Sequence, residues 1–92
     1  MNAIEPSPAI RPECLRPAAE WQRPTGDEVR ALLQAAGLTG ARAACILGLG
    51  KGGDRVIRRW TAGAGRISYA AWAILCAVAG FGNIWETEDG HH

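Results

Sequence analysis

The sequence predicts an all-α protein: a small helix-turn-helix domain of four to five short helices that follows an extended, proline-rich N-terminal arm. Three observations predict it. Apolar residues recur at helical spacing, glycines stand between the apolar runs, and positive charge is concentrated in one stretch. The 92 residues, 48% of them hydrophobic, suffice for one core. We expect an arm over 1–24, the helical domain over 25–85 and a disordered tail over 86–92.

The arm contains all five prolines of the chain, a density that prevents a long helix. We expect extended backbone with one short turn around 18–21. Leu15 and Trp21 can fold back on the core or on a partner subunit, and simple disorder is the alternative. The arm lacks the basic start and apolar run of a secretory signal. The three cysteines form no Cys-x-x-Cys pair, so we expect a reducing cytoplasm and no metal or cofactor.

The first helix is predicted from Thr25 to Ala36. Thr25 and Glu28, three residues apart, match a capping box. Val29, Leu32 and Leu33 recur at helical spacing and form an apolar stripe. Gly37 then ends the helix.

Two further short helices, joined by a tight glycine turn, are predicted from Thr39 to Trp60. Thr39 is the expected cap of the second helix, and the small Ala43 and Ala44 suit two helices that cross closely. Asp54 is the expected cap of the third helix, which buries Ile57 and Trp60. The turn lacks the Gly-x-x-x-x-Gly-Lys-Ser/Thr spacing of a nucleotide-binding loop, and no strand precedes it.

Charge is unevenly distributed along the chain. The segment 39–66 has six basic residues and one acidic residue, whereas 1–30 has a net charge of −1 and 67–92 of −3. Like charges on one helix face repel each other unless an anion meets them, so this pattern predicts binding to double-stranded DNA, with the third helix in the major groove. A solvated basic surface is the alternative. The candidate DNA contacts are Arg55, Arg58 and Arg59 for base edges or phosphates, and Thr39, Arg42, Lys51 and Arg66 for phosphates.

A fourth helix, capped by Ser68, is predicted to run from Tyr69 to about Ala79. No residue from 67 to 85 is charged, and a helix without a polar face is buried on more than one side. We therefore expect a homodimer. The uncharged run approaches the length of a membrane span, but its glycines and alanines disfavour insertion, so no membrane is expected. The candidate dimer contacts are Tyr69, Trp72, Phe81, Ile84 and Trp85.

Between residues 38 and 63 the residues follow a recognisable spacing: Leu38-Thr39, Ala44, Leu47-Gly48 and Ile57-x-x-Trp60-x-x-Gly63. This spacing resembles the helix-turn-helix repressors of the Cro/XRE type. The sequence differs from them in having Gly40 where they have a phosphate-contacting Gln, and in a turn longer by roughly three residues. More narrowly, the run 48–60 and the segment Ile67-x-Tyr-Ala-Ala-Trp72 resemble the small repressors of broad-host-range plasmids.

The resemblance implies a transcriptional repressor of plasmid maintenance operons that binds an inverted repeat as a dimer, with a co-repressor protein as a further candidate partner. Two other classes remain open. One is a protein-interaction module, antitoxin-like or inhibitory, that uses the apolar helix 68–80; the other is a small membrane-anchored regulator. An enzyme is not expected, because the chain has no Ser/His/Asp set and its two histidines are terminal.

Overall fold

A computed structural model describes residues 10–86, which form an all-α fold, as predicted. The first nine residues of the arm and the tail from residue 87, with its two histidines, lie outside the described residues. Two short 3-10 helices, Pro12–Leu15 and Ala18–Glu20, come first. Four α-helices follow: α1 (Gly26–Ala36), α2 (Gly40–Leu47), α3 (Gly53–Thr61) and α4 (Tyr69–Ala79).

Three of the predicted helix caps are confirmed. Thr25, Thr39 and Ser68 each accept, at the side-chain hydroxyl, a hydrogen bond of 3.1–3.2 Å from the backbone N–H three residues later. The capping box of α1 is complete, because the Glu28 carboxylate accepts the Thr25 N–H at 2.7 Å. Local side-chain chemistry therefore sets where α1, α2 and α4 begin.

The start of α3 differs from the prediction. The residue before the helix is Gly52, with a φ of 81° and no side-chain cap, and the helix begins at Gly53. Asp54, the expected cap, lies instead in the first turn, where its carboxylate is 3.7 Å from an Arg58 guanidinium nitrogen. The left-handed conformation at Gly52, which glycine adopts without strain, lets α3 begin earlier than a side-chain cap would.

The core lies between α1 and the other helices. α1 packs against α4 and α3, and α2 packs mainly against α3. The predicted stripe on α1 is confirmed, since Val29, Leu32 and Leu33 are all buried. Among the described residues, no helix has both the length and the apolar character needed to cross a membrane; α4, the most apolar, has 11 residues.

Residues 10–24, here called the N-terminal strap, fold back on this core. Cys14 is fully buried, and its carbonyl oxygen accepts the indole N–H groups of both Trp21 (3.0 Å) and Trp72 (2.7 Å). The Arg23 guanidinium donates to the Ile67 carbonyl at 3.1 Å. Of the possibilities open for this segment, the structure shows packing on the chain's own core, with a short turn at Ala18–Glu20 where one was predicted.

A buried carboxylate joins the strap to α1. Glu28 is only 4% exposed, and its two oxygens lie 2.7 Å from Arg11 Nε and 3.0 Å from Arg11 Nη2. They also accept the backbone N–H groups of Arg11 and Thr25. Burial by itself would raise the pKa of this carboxyl, but the hydrogen bonds from Arg11 and from the two backbone groups outweigh it and lower the pKa to about 2. The Glu28 carboxyl is therefore ionised in the folded protein at neutral pH.

Glu28→Gln is expected to lower the free energy of unfolding at pH 7 by about 2–3 kcal/mol, because Arg11 loses its charged partner. The carboxyl has a lower pKa in the folded chain than in the unfolded one. Its contribution is therefore complete above the unfolded value, near 4.5, and is lost as the pH falls towards 2. Thermal melts between pH 7 and pH 2 should show a flatter acid dependence in the variant. Asp27→Asn, which removes an exposed carboxylate one position away, is the control and should change the melts little.

Candidate nucleic-acid interface

The crossing of α2 and α3 is very close. A Cβ atom placed on Gly53 would lie 2.7 Å from Leu49 Cβ and 2.8 Å from Ala44 Cβ, both too short for real contacts. Ala44 is buried at this crossing, and the preceding residue, Ala43, is also fully buried. The prediction that small residues on α2 permit close packing is confirmed, and Gly53 supplies the matching gap on α3.

The glycine turn between the two helices is a folded connection. Gly48, Gly50 and Gly52 all have positive φ, which lets the chain reverse within a few residues. The Leu49 N–H donates to the Ala44 carbonyl at 3.0 Å, and the Leu49 side chain packs on the core. Lys51 is exposed between two of these glycines, directly before α3. The residues that lengthen the turn thus present a cation beside the start of α3.

Two opposite faces distinguish α3. Ile57 is 1% exposed and attaches the helix to the core, while Trp60 is half-buried rather than fully buried. On the other side Arg55, Arg58 and Arg59 are exposed, as their spacing predicted. Val56 on α3 is also exposed, although the charge pattern did not identify it as a candidate DNA contact.

The arginines of α3 are mostly without acidic partners. Arg58 lies 3.7 Å from Asp54, a pair that is well exposed and therefore weak. Within residues 10–86 no carboxylate lies within 4.0 Å of Arg55 or Arg59. Their positive charge is therefore uncompensated by the chain itself.

The other candidate DNA contacts lie on the segments that precede and follow α3 in the chain. The side chains of Thr39, Arg42, Lys51 and Arg66 are all exposed, and in the described residues the three cations form no ion pair. The Thr39 hydroxyl already accepts the Arg42 N–H that caps α2. The structure thus leaves every predicted DNA-contact residue exposed; contact with DNA stays a prediction. In the same part of the chain no group of three His, Cys, Asp or Glu could hold a metal ion.

The C-terminal end of α3 is held by α1 through contacts that the sequence analysis missed. Gly26 lies so close to this end that an added Cβ would be 2.6 Å from the Thr61 carbonyl oxygen and 2.8 Å from the Gly63 nitrogen. Arg30 donates to the same Thr61 oxygen at 2.9 Å. A glycine at the first position of a helix, where other residues fit better, was the available sequence signal. These contacts set the direction in which α3 points.

Two of the five candidate dimer contacts lie in the chain's own core, which corrects the prediction. Trp72 is fully buried beneath the strap and Ile84 is 6% exposed. Tyr69 and Phe81 are half-buried; the Tyr69 hydroxyl donates to the Arg16 carbonyl at 3.1 Å. Trp85, at 49%, is the exposed member of the set. The apolar residues of α4 could not be divided between faces because none of its positions is polar.

The exposed apolar surface of α4 is formed by other residues. Ile74 and Val78 are each 44% exposed and stand four residues apart, on one side of the helix. Their inward neighbours Trp72, Leu75 and Cys76 are fully buried. Burial raises the pKa of the Cys76 thiol to about 12, so this residue stays a neutral core side chain. An uncharged ridge thus remains on the outside of α4.

Comparison with known proteins gives a consistent result for most of the chain. Two curated Escherichia coli proteins, each named transcriptional repressor protein KorC, are similar to it, at 61% and 58% identity. Each match extends over 77 residues, 84% of this chain and 91% of the relative. No protein-family model matches the sequence. No solved structure shows significant similarity to it.

Proposed function

Since this chain belongs to the KorC family of transcriptional repressors, we propose that it represses transcription by binding an inverted-repeat operator in double-stranded DNA as a homodimer, with plasmid maintenance operons as its targets. The observation that carries the proposal is the solvent face of α3. Its arginines lie on a helix that packs against α1 and α2, and within residues 10–86 Arg55 and Arg59 have no acidic partner. A phosphate backbone supplies the missing negative charge.

In this proposal α3 enters the major groove. Arg55 and Arg59, one helical turn apart, reach guanine edges or phosphates, because a guanidinium pairs with either in a two-pronged geometry. Arg42, Lys51 and Arg66, on the segments that flank α3 in the chain, contact phosphates, which sets the position of the protein on the duplex. Thr39, at the start of α2, contributes a further phosphate contact.

The homodimer is proposed to form through α4. This helix packs mainly against α1, whereas α3 packs against α1 and α2, so pairing of α4 leaves the arginine face open. The ridge of Ile74 and Val78 carries no charge, and Trp85 is exposed nearby in sequence. In a two-fold interface each surface meets its own copy, which a charged surface resists and an uncharged one permits. Such a dimer would place two copies of α3 on half-sites about 34 Å apart.

Ile74→Glu is expected to convert the dimer into a monomer, because two buried carboxylates would face each other across the two-fold axis. Sedimentation equilibrium at micromolar concentration measures this directly. The control is Gln34→Glu on the exposed side of α1, which adds the same charge elsewhere and should leave the dimer intact. A wild-type monomer, or an Ile74→Glu dimer, would contradict this interface.

Operator binding itself can be tested by selecting bound sequences from random duplex DNA and then measuring affinity by fluorescence anisotropy at several salt concentrations. We expect an inverted repeat to be selected. The logarithm of the affinity should fall linearly with the logarithm of salt concentration, with a slope of about −0.9 for each phosphate neutralised, so roughly −5 per subunit if all six cations contribute. Absence of selection, or affinity independent of salt, would exclude the proposal.

A further inference from the structure

We propose that Val56 determines part of the operator sequence by packing against the C5-methyl group of a thymine in the major groove. The inference rests on the proposed DNA-binding function and names a base feature that the arginines do not read. It starts from an apolar side chain in an unusual place. Val56 is 37% exposed in the middle of α3, on a helix otherwise covered by charged groups.

Val56 is the least buried apolar side chain of α3. It is 37% exposed, whereas Ile57 is 1% exposed and Trp60 is half-buried. A β-branched residue on an exposed helix face also lowers helix propensity relative to alanine. Local helix formation therefore does not account for a valine at this position, and the exposed part of its side chain is accessible to a ligand.

The neighbours of Val56 decide what can cover it. Arg59 stands three residues further on, on the adjoining row of the helix surface, and Arg55 precedes it directly. A second copy of this face would bring arginine against arginine, so pairing between copies is disfavoured here. The ridge of Ile74 and Val78 on α4, which has no charged neighbours on its helix, is different in this respect.

Duplex DNA can contact both the arginines and the valine of this face. Phosphates or guanine edges accept the guanidinium groups, and thymine offers the one methyl group in the major groove, which apolar side chains contact. Arg55 and Arg59 anchor the same face of α3, so a base pair beside their contacts falls under Val56. The predicted recognition element is thus a thymine next to the arginine contacts in each half-site.

Deoxyuridine tests this, because it is thymine without the methyl group. In the selected operator, each thymine of one half-site is replaced in turn by deoxyuridine, and affinity is measured for the wild type and for Val56→Ala. For the wild type, one position should show a loss of roughly fourfold, the value for one buried methyl group. For Val56→Ala, the same replacement should have no effect.

Ile46→Ala is the matched control. Ile46 is 38% exposed but lies on α2, so its variant loses a similar apolar surface and should keep the full sensitivity to deoxyuridine. Circular dichroism should show that both variants keep the helical fold. The inference is overturned if no replacement weakens the wild type, or if Val56→Ala retains the loss. If the wild type selects no DNA at all, the proposed function fails first, and that result is distinguishable from either outcome.

Discussion

Replacing Arg55 and Arg59 together by alanine is expected to weaken operator binding by at least about 100-fold, since two charge-assisted contacts are lost, each contributing about 1.5–3 kcal/mol. If both contact phosphates, the salt slope should also become shallower by about 2 per subunit. Both side chains are exposed and have no acidic partner in the described residues, so the variant should remain folded. Anisotropy at several salt concentrations, with melting curves beside it, measures both quantities.

The single variants provide the matched comparison. Arg59→Ala removes one charge from the α3 face, and Arg16→Ala removes one exposed arginine from the strap. We expect a loss of about tenfold or more for the first and less than about twofold for the second. Equal losses would mean that only the total charge of the protein matters. A double variant that binds as tightly as the wild type would show that α3 presents a different face to DNA.

Gly53→Ala is expected to lower the free energy of unfolding by about 2 kcal/mol, which corresponds to roughly 10 °C in melting temperature for a domain of this size. The added Cβ would lie under 3 Å from the Cβ atoms of Leu49 and Ala44, neither of which can move without the backbone. α2 and α3 must therefore separate. Operator affinity should fall as well, because α3 would change direction relative to the phosphate contacts on α2.

Gly40→Ala distinguishes this steric effect from the general effect of replacing glycine in a helix. Gly40 also stands at the first position of its helix, but an added Cβ would meet Ile57 Cγ2 at 3.7 Å, an ordinary contact. Alanine favours helix over glycine, so this variant should be neutral or slightly more stable. Chemical denaturation of the two variants measures the difference. Equal stability of Gly53→Ala and the wild type would show that Leu49 and Ala44 do not approach position 53 to within 3 Å.

The features that the sequence predicted well are local ones. Thr25, Thr39 and Ser68 each form a hydrogen bond within the first turn of their own helix, so these caps can be predicted without knowledge of the fold. The outward direction of Arg55 and Arg59 was predictable for the same reason, because the spacing from Ile57 fixes the sides of a helix. The basic character of α3, and the small residues on α2 that allow a close crossing, were also predictable without knowledge of the tertiary structure.

What could not be predicted depends on contacts between distant residues. Trp72 looked available for a partner because every position of α4 is apolar. It is instead buried beneath the strap, where the carbonyl oxygen of Cys14, 58 residues earlier, accepts a hydrogen bond from its indole N–H. Glu28 was identified as half of a capping box, while its second role depends on Arg11 in the strap. The start of α3 was misplaced because a backbone conformation at Gly52, rather than a side chain, begins the helix.

The strap also affects the order in which tertiary contacts can form while the chain is synthesised on the ribosome. Synthesis proceeds from the N-terminus, so Cys14 is made early, yet the Trp72 indole that it binds is made 58 residues later. The pair α2 and α3 joins neighbouring segments and can form as soon as both have emerged. The strap can bind α1 early through Arg11 and Glu28, but its contact with Trp72 must wait for α4. The pair of α2 and α3 can therefore form before the contact between Cys14 and Trp72 is made.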